Sequence, residues 1–108
     1  GANTIWPHAW NLYQAAGRRC EVDGKVVDLY ACGNELDNFS KKHTGIGTFC
    51  HEFGHVLELP DFYVTDYSHE VPTLKAWDIM DNGSYNNGSR TPPTYSAYER
   101  FFCGWLKC

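Results

Sequence analysis

His51-Glu52-Phe53-Gly54-His55-Val56-Leu57-Glu58-Leu59-Pro60-Asp61 runs through the middle of this chain, and its first five residues have the form H-E-x-x-H. The spacing predicts a helix from Gly45 to Leu57, which Pro60 then ends by removing a donor and blocking continuation. At 100° per residue, Ile46, Phe49, Phe53, Val56 and Leu57 share one broad face, with Cys50 at its rim, and this face is expected to turn to the core. His51 and His55 point the other way. Residues four apart stand one helical turn above each other, so both imidazoles can bind one Zn²⁺ at about 2.0–2.1 Å. Glu52 is turned by about 100° and lies alongside such a metal. From there its carboxylate can act as general base, taking a proton from a zinc-activated water and returning it to a leaving amine. A shuffled chain of this composition would show H-E-x-x-H about 1% of the time. The bland alternative, two surface histidines on an amphipathic helix, is the weaker reading.

Upstream, Thr4 to Trp10 reads as a short strand with Pro7 inside it, which favours an edge or a bulge. Gly17 to Gly24 is turn-like. Lys25 to Cys32 is β-branched, bounded by glycines and the best strand in the chain. Asn34 to Thr44 reads as a polar loop. Downstream, Asp61 to Thr91 is an irregular segment dense in Asp, Asn, Gly, Ser and aromatics, the kind of segment in which catalytic loops lie. Asn82-Gly83 and Asn87-Gly88 read as turns. Pro92-Pro93 opens a closing helix, with Tyr95, Tyr98, Phe101, Phe102 and Trp105 expected inward and Gly104 near its end.

Composition bounds the function. The 108 residues suffice for one domain, and the 43% apolar and 20% charged fractions are a globular balance. No apolar run approaches the roughly 18 residues of a membrane span, and nothing at the start reads as a signal peptide. The net charge of −4, with only Arg18-Arg19 and Lys41-Lys42 as adjacent basic pairs, argues against nucleic acid as a partner. Five cysteines (Cys20, Cys32, Cys50, Cys103, Cys108) form no C-x-x-C pair, so a structural zinc knuckle is disfavoured. Cys20 and Cys32 flank one extended segment and could bridge it. Cys50 is expected to be a buried free thiol. His8, His43 and His69 stand alone in polar segments and read as solvated. Asp66, Asp78 and Asp81 could suggest calcium, but they lack the alternation of a calcium loop.

The run from His51 to Asp61 resembles the extended metzincin pattern H-E-x-x-H-x-x-G-x-x-H/D, whose last residue is the third zinc ligand. Asp61 occupies that slot. Trp77-Asp78-Ile79-Met80 looks like the metzincin Met-turn, in which the methionine lies under the zinc-binding histidines, and Met80 is the chain's single methionine. Four further words, Ile5-Trp6-Pro7-His8-Ala9-Trp10, Gly45-Ile46-Gly47-Thr48-Phe49-Cys50, Leu59-Pro60-Asp61-Phe62-Tyr63 and Pro92-Pro93-Thr94-Tyr95-Ser96-Ala97-Tyr98-Glu99, look like the immune inhibitor A family of secreted bacterial zinc metallopeptidases. The resemblance implies a zinc endopeptidase made as a larger precursor and working outside a bacterial cell or at its surface. It implies an α+β, metzincin-like zinc-site subdomain: a few-stranded sheet, the zinc helix, a Met-turn and a C-terminal helix. Residues 1–108 would then be a single domain, the C-terminal, zinc-bearing part of a catalytic domain whose upstream part lies outside this chain.

The site implied is His51, His55 and Asp61 as metal ligands, Glu52 as the catalytic base and Met80 beneath. Tyr85, five residues past Met80, could polarise a scissile carbonyl as a tyrosine does in some metzincins, but the spacing fits poorly and a packed aromatic is the better reading. Glu58 departs from the pattern, standing where the family has a glycine that turns the chain with φ > 0, so it should cost strain or force another turn. Asp61 is favoured as third ligand because reversal at Pro60 brings it back toward the metal, with Glu58 as local competitor. Two rivals stand beside the endopeptidase reading. One is a non-catalytic protein-binding module derived from a peptidase, against which the intact Glu52 argues. The other is a thermolysin-type zincin with Glu99 as third ligand. The partner expected is a protein or peptide substrate lying extended along an edge strand, for which Lys25 to Cys32 is the candidate.

Overall fold

The computed structural model of the chain describes residues 5–66 and 68–107; Thr4 of the expected first strand and Cys108 lie outside them. The architecture is α+β, with two small antiparallel sheets and several short helices. The first strand, β1 (His8–Asn11), starts just after Pro7 rather than running through it. Asn11 then caps helix α1 (Leu12–Ala16) by accepting the Gln14 N–H, and Gly17 closes it at φ 69°. The turn-like segment expected from Gly17 to Gly24 in fact contains a strand, β2 (Cys20–Val22), which pairs with β3 (Lys25–Val27). Asp23 and Gly24, at φ 51° and 71°, form the two-residue loop between them. Asp-Gly is the pair that tolerates two successive positive φ angles, which is what a tight hairpin demands.

The strand expected from Lys25 to Cys32 is two strands in two sheets. It breaks at Asp28, whose carbonyl accepts the Leu12 N–H at 2.8 Å and whose carboxylate accepts the Tyr13 N–H at 2.9 Å and pairs with Arg19 at 3.2 Å. Beyond the break, β4 (Leu29–Cys32) pairs with β1 in the register His8 to Cys32 and Asn11 to Leu29. A β-branched run signals extended backbone; it does not show that a half-buried acid redirects it. Cys20 and Cys32 are both free thiols, so the suggested bridge is absent.

Helix α2 (Ile46–Val56) matches the sequence expectation closely, with Gly45 as N-cap and Leu57 as C-cap. Its inward face does not. Ile46, Phe49 and Phe53 are exposed, while Gly47 and Gly54 are buried. The glycines explain this. A Cβ at Gly47 would stand 2.0 Å from the Ser84 carbonyl oxygen, and one at Gly54 would stand 2.4 Å from Met80 Sδ. The helix backbone therefore rests on the segment around Met80 and Ser84 through positions where no side chain intervenes. The buried core, Leu59, Ile79 and Met80, sits there, with Cys50, Phe62, Tyr95 and Cys103 packed around it.

The segment after Asp61 is irregular as expected, broken by 3-10 turns at Lys75–Trp77 and Asn82–Tyr85 and by a single helical turn, α3 (Asn86–Ser89), in which Asn87 and Gly88 are left-handed. Helix α4 (Ala97–Phe102) starts at Ser96 rather than at Pro92-Pro93. Ser96 and Glu99 form a reciprocal capping box, and this local motif sets the start. Tyr98, Phe101, Phe102 and Trp105, expected inward, are exposed, and Glu99 is the residue of α4 that is buried. Gly104 follows the helix at φ 74°, as its position near the end suggested.

Candidate metal centre

The centre is built by the way α2 stops. Leu57 closes the helix, Glu58 takes the left-handed conformation at φ 70°, and the Leu59 N–H donates back to the Gly54 carbonyl at 3.0 Å. The chain thus reverses at Glu58, with the backbone conformation a glycine would favour, and Pro60 prevents any further helical turn. Phe62 is then pinned by donating its N–H to the Met80 carbonyl at 2.9 Å. Asp61, between these fixed points, faces the histidines. Its Oδ1 lies 3.3 Å from His51 Nε2 and 3.2 Å from His55 Nε2. Among the described residues, His51, His55 and Asp61 are the group of three or more His, Cys, Asp or Glu side chains whose ligand atoms converge, all within 4.8 Å of one another.

The hydrogen bonds test whether a cation fits. His51 Nδ1 lies 2.9 Å from the Ile79 carbonyl, and His55 Nδ1 lies 2.8 Å from the Leu59 carbonyl. A carbonyl only accepts, so each Nδ1 carries a hydrogen and Nε2 is the atom turned toward Asp61, offering a lone pair there when the ring is neutral. Asp61 Oδ1 is buried there without a hydrogen-bond partner. Three lone pairs aimed at one point repel unless a cation, or a proton on each ring, lies between them. The residues present fit a divalent metal. The same two carbonyls orient the rings and fix the tautomer, the part played by outer partners of metal-bound imidazoles.

Met80 lies under α2, 0% exposed and against Gly54. Its turn is held by Asp78, whose Oδ1 accepts the Met80 N–H at 2.8 Å and whose carbonyl accepts the Gly83 N–H at 2.9 Å. Asp81 accepts the Lys75 and Asn82 N–H groups at 2.6 and 2.7 Å. The calcium reading of Asp66, Asp78 and Asp81 does not survive this arrangement. The last two are buried acceptors of backbone N–H groups, and Asp66 is exposed and accepts the Ser68 N–H. Glu99, the third ligand of the thermolysin-type alternative, belongs to the capping box and lies outside the converging group, and Glu58 is exposed in the turn.

Glu52 is half-buried on α2, one residue from His51 and outside the group of three. Tyr85 is neither in that group nor packed: it is 66% exposed on its 3-10 turn. His8, read as solvated, is half-buried, with Nε2 3.2 Å from the Tyr30 hydroxyl. His43 and His69 are exposed. Sequence reasoning overlooked Tyr63, whose ring stacks on His51 with centroids 6.3 Å apart and planes 23° from parallel. Its signal was its place two residues after Asp61, on the irregular segment that must return past the histidines.

The family described as immune inhibitor A peptidase M6, catalytic domain, matches residues 1–105. The chain belongs to this family. Immune inhibitor A from Bacillus thuringiensis subsp. alesti is 27% identical over 108 aligned residues, covering 94% of this chain. The pre-pro-metalloprotease PrtV of Vibrio cholerae serotype O1 is 30% identical over 107, again covering 94%. The chain spans 15% of the length of the first relative and 11% of the second. Membership of this peptidase family agrees with a centre of two imidazoles and a carboxylate suited to a metal.

Proposed function

We propose that this chain is the zinc-bearing part of a secreted or cell-surface metalloendopeptidase that hydrolyses internal peptide bonds of proteins. The observation that carries the reading is the convergence of His51, His55 and the otherwise unpartnered Asp61 Oδ1, in a chain of a peptidase family. Two imidazole nitrogens and one carboxylate oxygen are the donor set of an open zinc site. Zinc held there supplies a Lewis acid that brings the pKa of a water to about 7 and polarises the scissile carbonyl.

The chain's own residues do the rest. Glu52 takes the proton of the attacking water and delivers it to the departing amine, from a position about 100° around the helix from His51. The Ile79 and Leu59 carbonyls hold a hydrogen of each ring on Nδ1 and so leave Nε2 as the atom that would meet the ion. Met80 plays the part of the Met-turn residue, a packed floor that fixes the height of α2 above it. The substrate backbone adds to β4, whose one strand partner among the described residues is β1. A cleft lined by Trp10, Leu29 and His55 joins that sheet to the metal centre. The upstream Lys25–Val27 half of the strand first considered lies in the other hairpin and takes no part. Secretion is carried by the pre-pro-metalloprotease relative; no helix of the described residues is long and apolar enough to cross a membrane.

Glu52→Gln tests the reading, because the amide keeps the size of the side chain and cannot accept the proton. Turnover of a quenched peptide, in a preparation that a chelator inactivates, should fall by about two to four orders of magnitude while zinc content is unchanged. Activity within about tenfold of the parent would end the general-base assignment.

A further inference from the structure

Asp78 and Glu99 are both 0% exposed, although they come from distant segments, the turn before Met80 and the first turn of α4. Each carboxyl places one oxygen on a backbone N–H. Asp78 Oδ1 accepts from Met80 and Glu99 Oε2 from Ser96. The remaining oxygens, Asp78 Oδ2 and Glu99 Oε1, are buried with no donor among the described residues. The two carboxyls lie close enough for each to shift the titration of the other. Two ionised carboxylates so placed would face each other with lone pairs only, out of water, and ionising the second carries a large penalty. A cation could also relieve the repulsion, but among the described residues these oxygens do not converge with a third ligand as those of the metal centre do.

We propose that Asp78 Oδ2 and Glu99 Oε1 share one proton, and that this buried carboxyl–carboxylate bond makes both side chains positioning residues for His51. Asp78 holds the Met80 N–H, and Ile79, between them, presents the carbonyl that orients His51 Nδ1. Glu99 ties this turn to the capped start of α4. The pair is therefore the joint between the closing helix and the floor of the metal centre. The positioning role rests on the zinc reading above; the shared proton does not.

The surroundings favour the proton. Burial, first, raises both above the usual carboxylate range. Asp78 raises Glu99 further through its charge and hydrogen bond, while the hydrogen bond to Glu99 lowers Asp78 in return, as expected when one carboxyl of a pair holds the proton. Asp81 adds like charge on the Asp78 side, with both its oxygens already on backbone N–H groups. Tyr95 faces Glu99 with Cys50 and Cys103 nearby, its hydroxyl donating to the Cys50 carbonyl at 2.7 Å. Arg100, next to Glu99 in sequence, is exposed and donates to the Ser96 carbonyl. The sign follows. An acid whose folded pKa is raised contributes full stability below its unfolded pKa, and that stability is lost as pH climbs through the folded value.

Thermal melting of the metal-free chain from about pH 5 to about pH 8.5 reads this directly, in the parent, Glu99→Gln, Asp78→Asn and Glu99→Ala. All four share the other titratable groups, so differences between curves isolate the pair. The melting temperature of the parent should fall with rising pH more steeply than that of Glu99→Gln or Asp78→Asn, whose amide N–H replaces the shared proton at every pH. At the alkaline end both amide variants should melt at or above the parent, and Glu99→Ala should melt below it throughout. Zinc binding at about pH 7.5 should weaken about 10- to 100-fold in Glu99→Ala and recover to within about threefold of the parent in Glu99→Gln. Parallel pH curves for parent and Glu99→Gln, or Glu99→Gln as unstable as Glu99→Ala, would overturn the shared proton. So would a parent stabilised by added calcium when Glu99→Gln is not. Parent-like zinc affinity in Glu99→Ala, or no zinc binding by the parent, would overturn the positioning role alone.

Discussion

Glu58 keeps a left-handed backbone at φ 70° that its side chain makes costly. An L-residue there sacrifices about 1–2 kcal/mol relative to glycine, part of which glycine returns through the greater entropy of its unfolded chain. Glu58→Gly should therefore raise the unfolding free energy by about 0.5–1 kcal/mol, seen as a higher urea midpoint at unchanged slope. A lower midpoint would mean that the Glu58 side chain makes a stabilising contact the geometry does not explain. At Cys50, burial raises the thiol and the side chain packs half-buried against the core. A bulky thiol reagent should label Cys50 more slowly than exposed Cys20, and faster labelling of Cys50 would contradict the packing.

At the scale of elements, the position of α2 depends on two glycines more than on its phenylalanines. Gly47→Ala would drive a methyl group into the Ser84 carbonyl, a backbone atom that cannot swing away. The expected loss is about 1–3 kcal/mol of stability, with weaker zinc binding, because the helix must lift from the Met80 turn. Unchanged stability would show that the helix does not approach so closely. Phe49→Ala, at a 50% exposed position, should cost less. These same elements show what the sequence could carry. The helix from Gly45 to Leu57, its histidine face and the return of Asp61 were legible because local rules govern them: the i, i+4 spacing and the proline stop. The inward face of α2 was misread because periodicity identifies an apolar stripe without saying which backbone face has a partner close enough to need glycine. Likewise, Pro92-Pro93 suggested a helix start that the Ser96 and Glu99 capping box sets four residues later. The break at Asp28 and the burial of Glu99 depend on contacts between distant segments, which no local pattern encodes.

At the scale of the whole molecule, three apolar side chains form the buried core among the described residues, and the Cα radius of gyration is 15.6 Å, above the roughly 13 Å usual for a chain of this length. The aromatic side chains of α2 and α4 lie outside that core and are about half exposed. A metal joining α2 to the segment after Pro60 should then supply a large share of that stability. Zinc at about 100 times its dissociation constant adds about 2.7 kcal/mol, so a chelator should lower the melting temperature reversibly. The same melting temperature with and without chelator would mean that no metal is held in the folded chain. The most direct measurement is equilibrium zinc binding by the purified chain alongside Asp61→Ala and Glu58→Ala. The account predicts one zinc site in the parent, a sharp fall in affinity in Asp61→Ala and parent-like binding in Glu58→Ala; zinc retained in Asp61→Ala, or lost in Glu58→Ala, would contradict it.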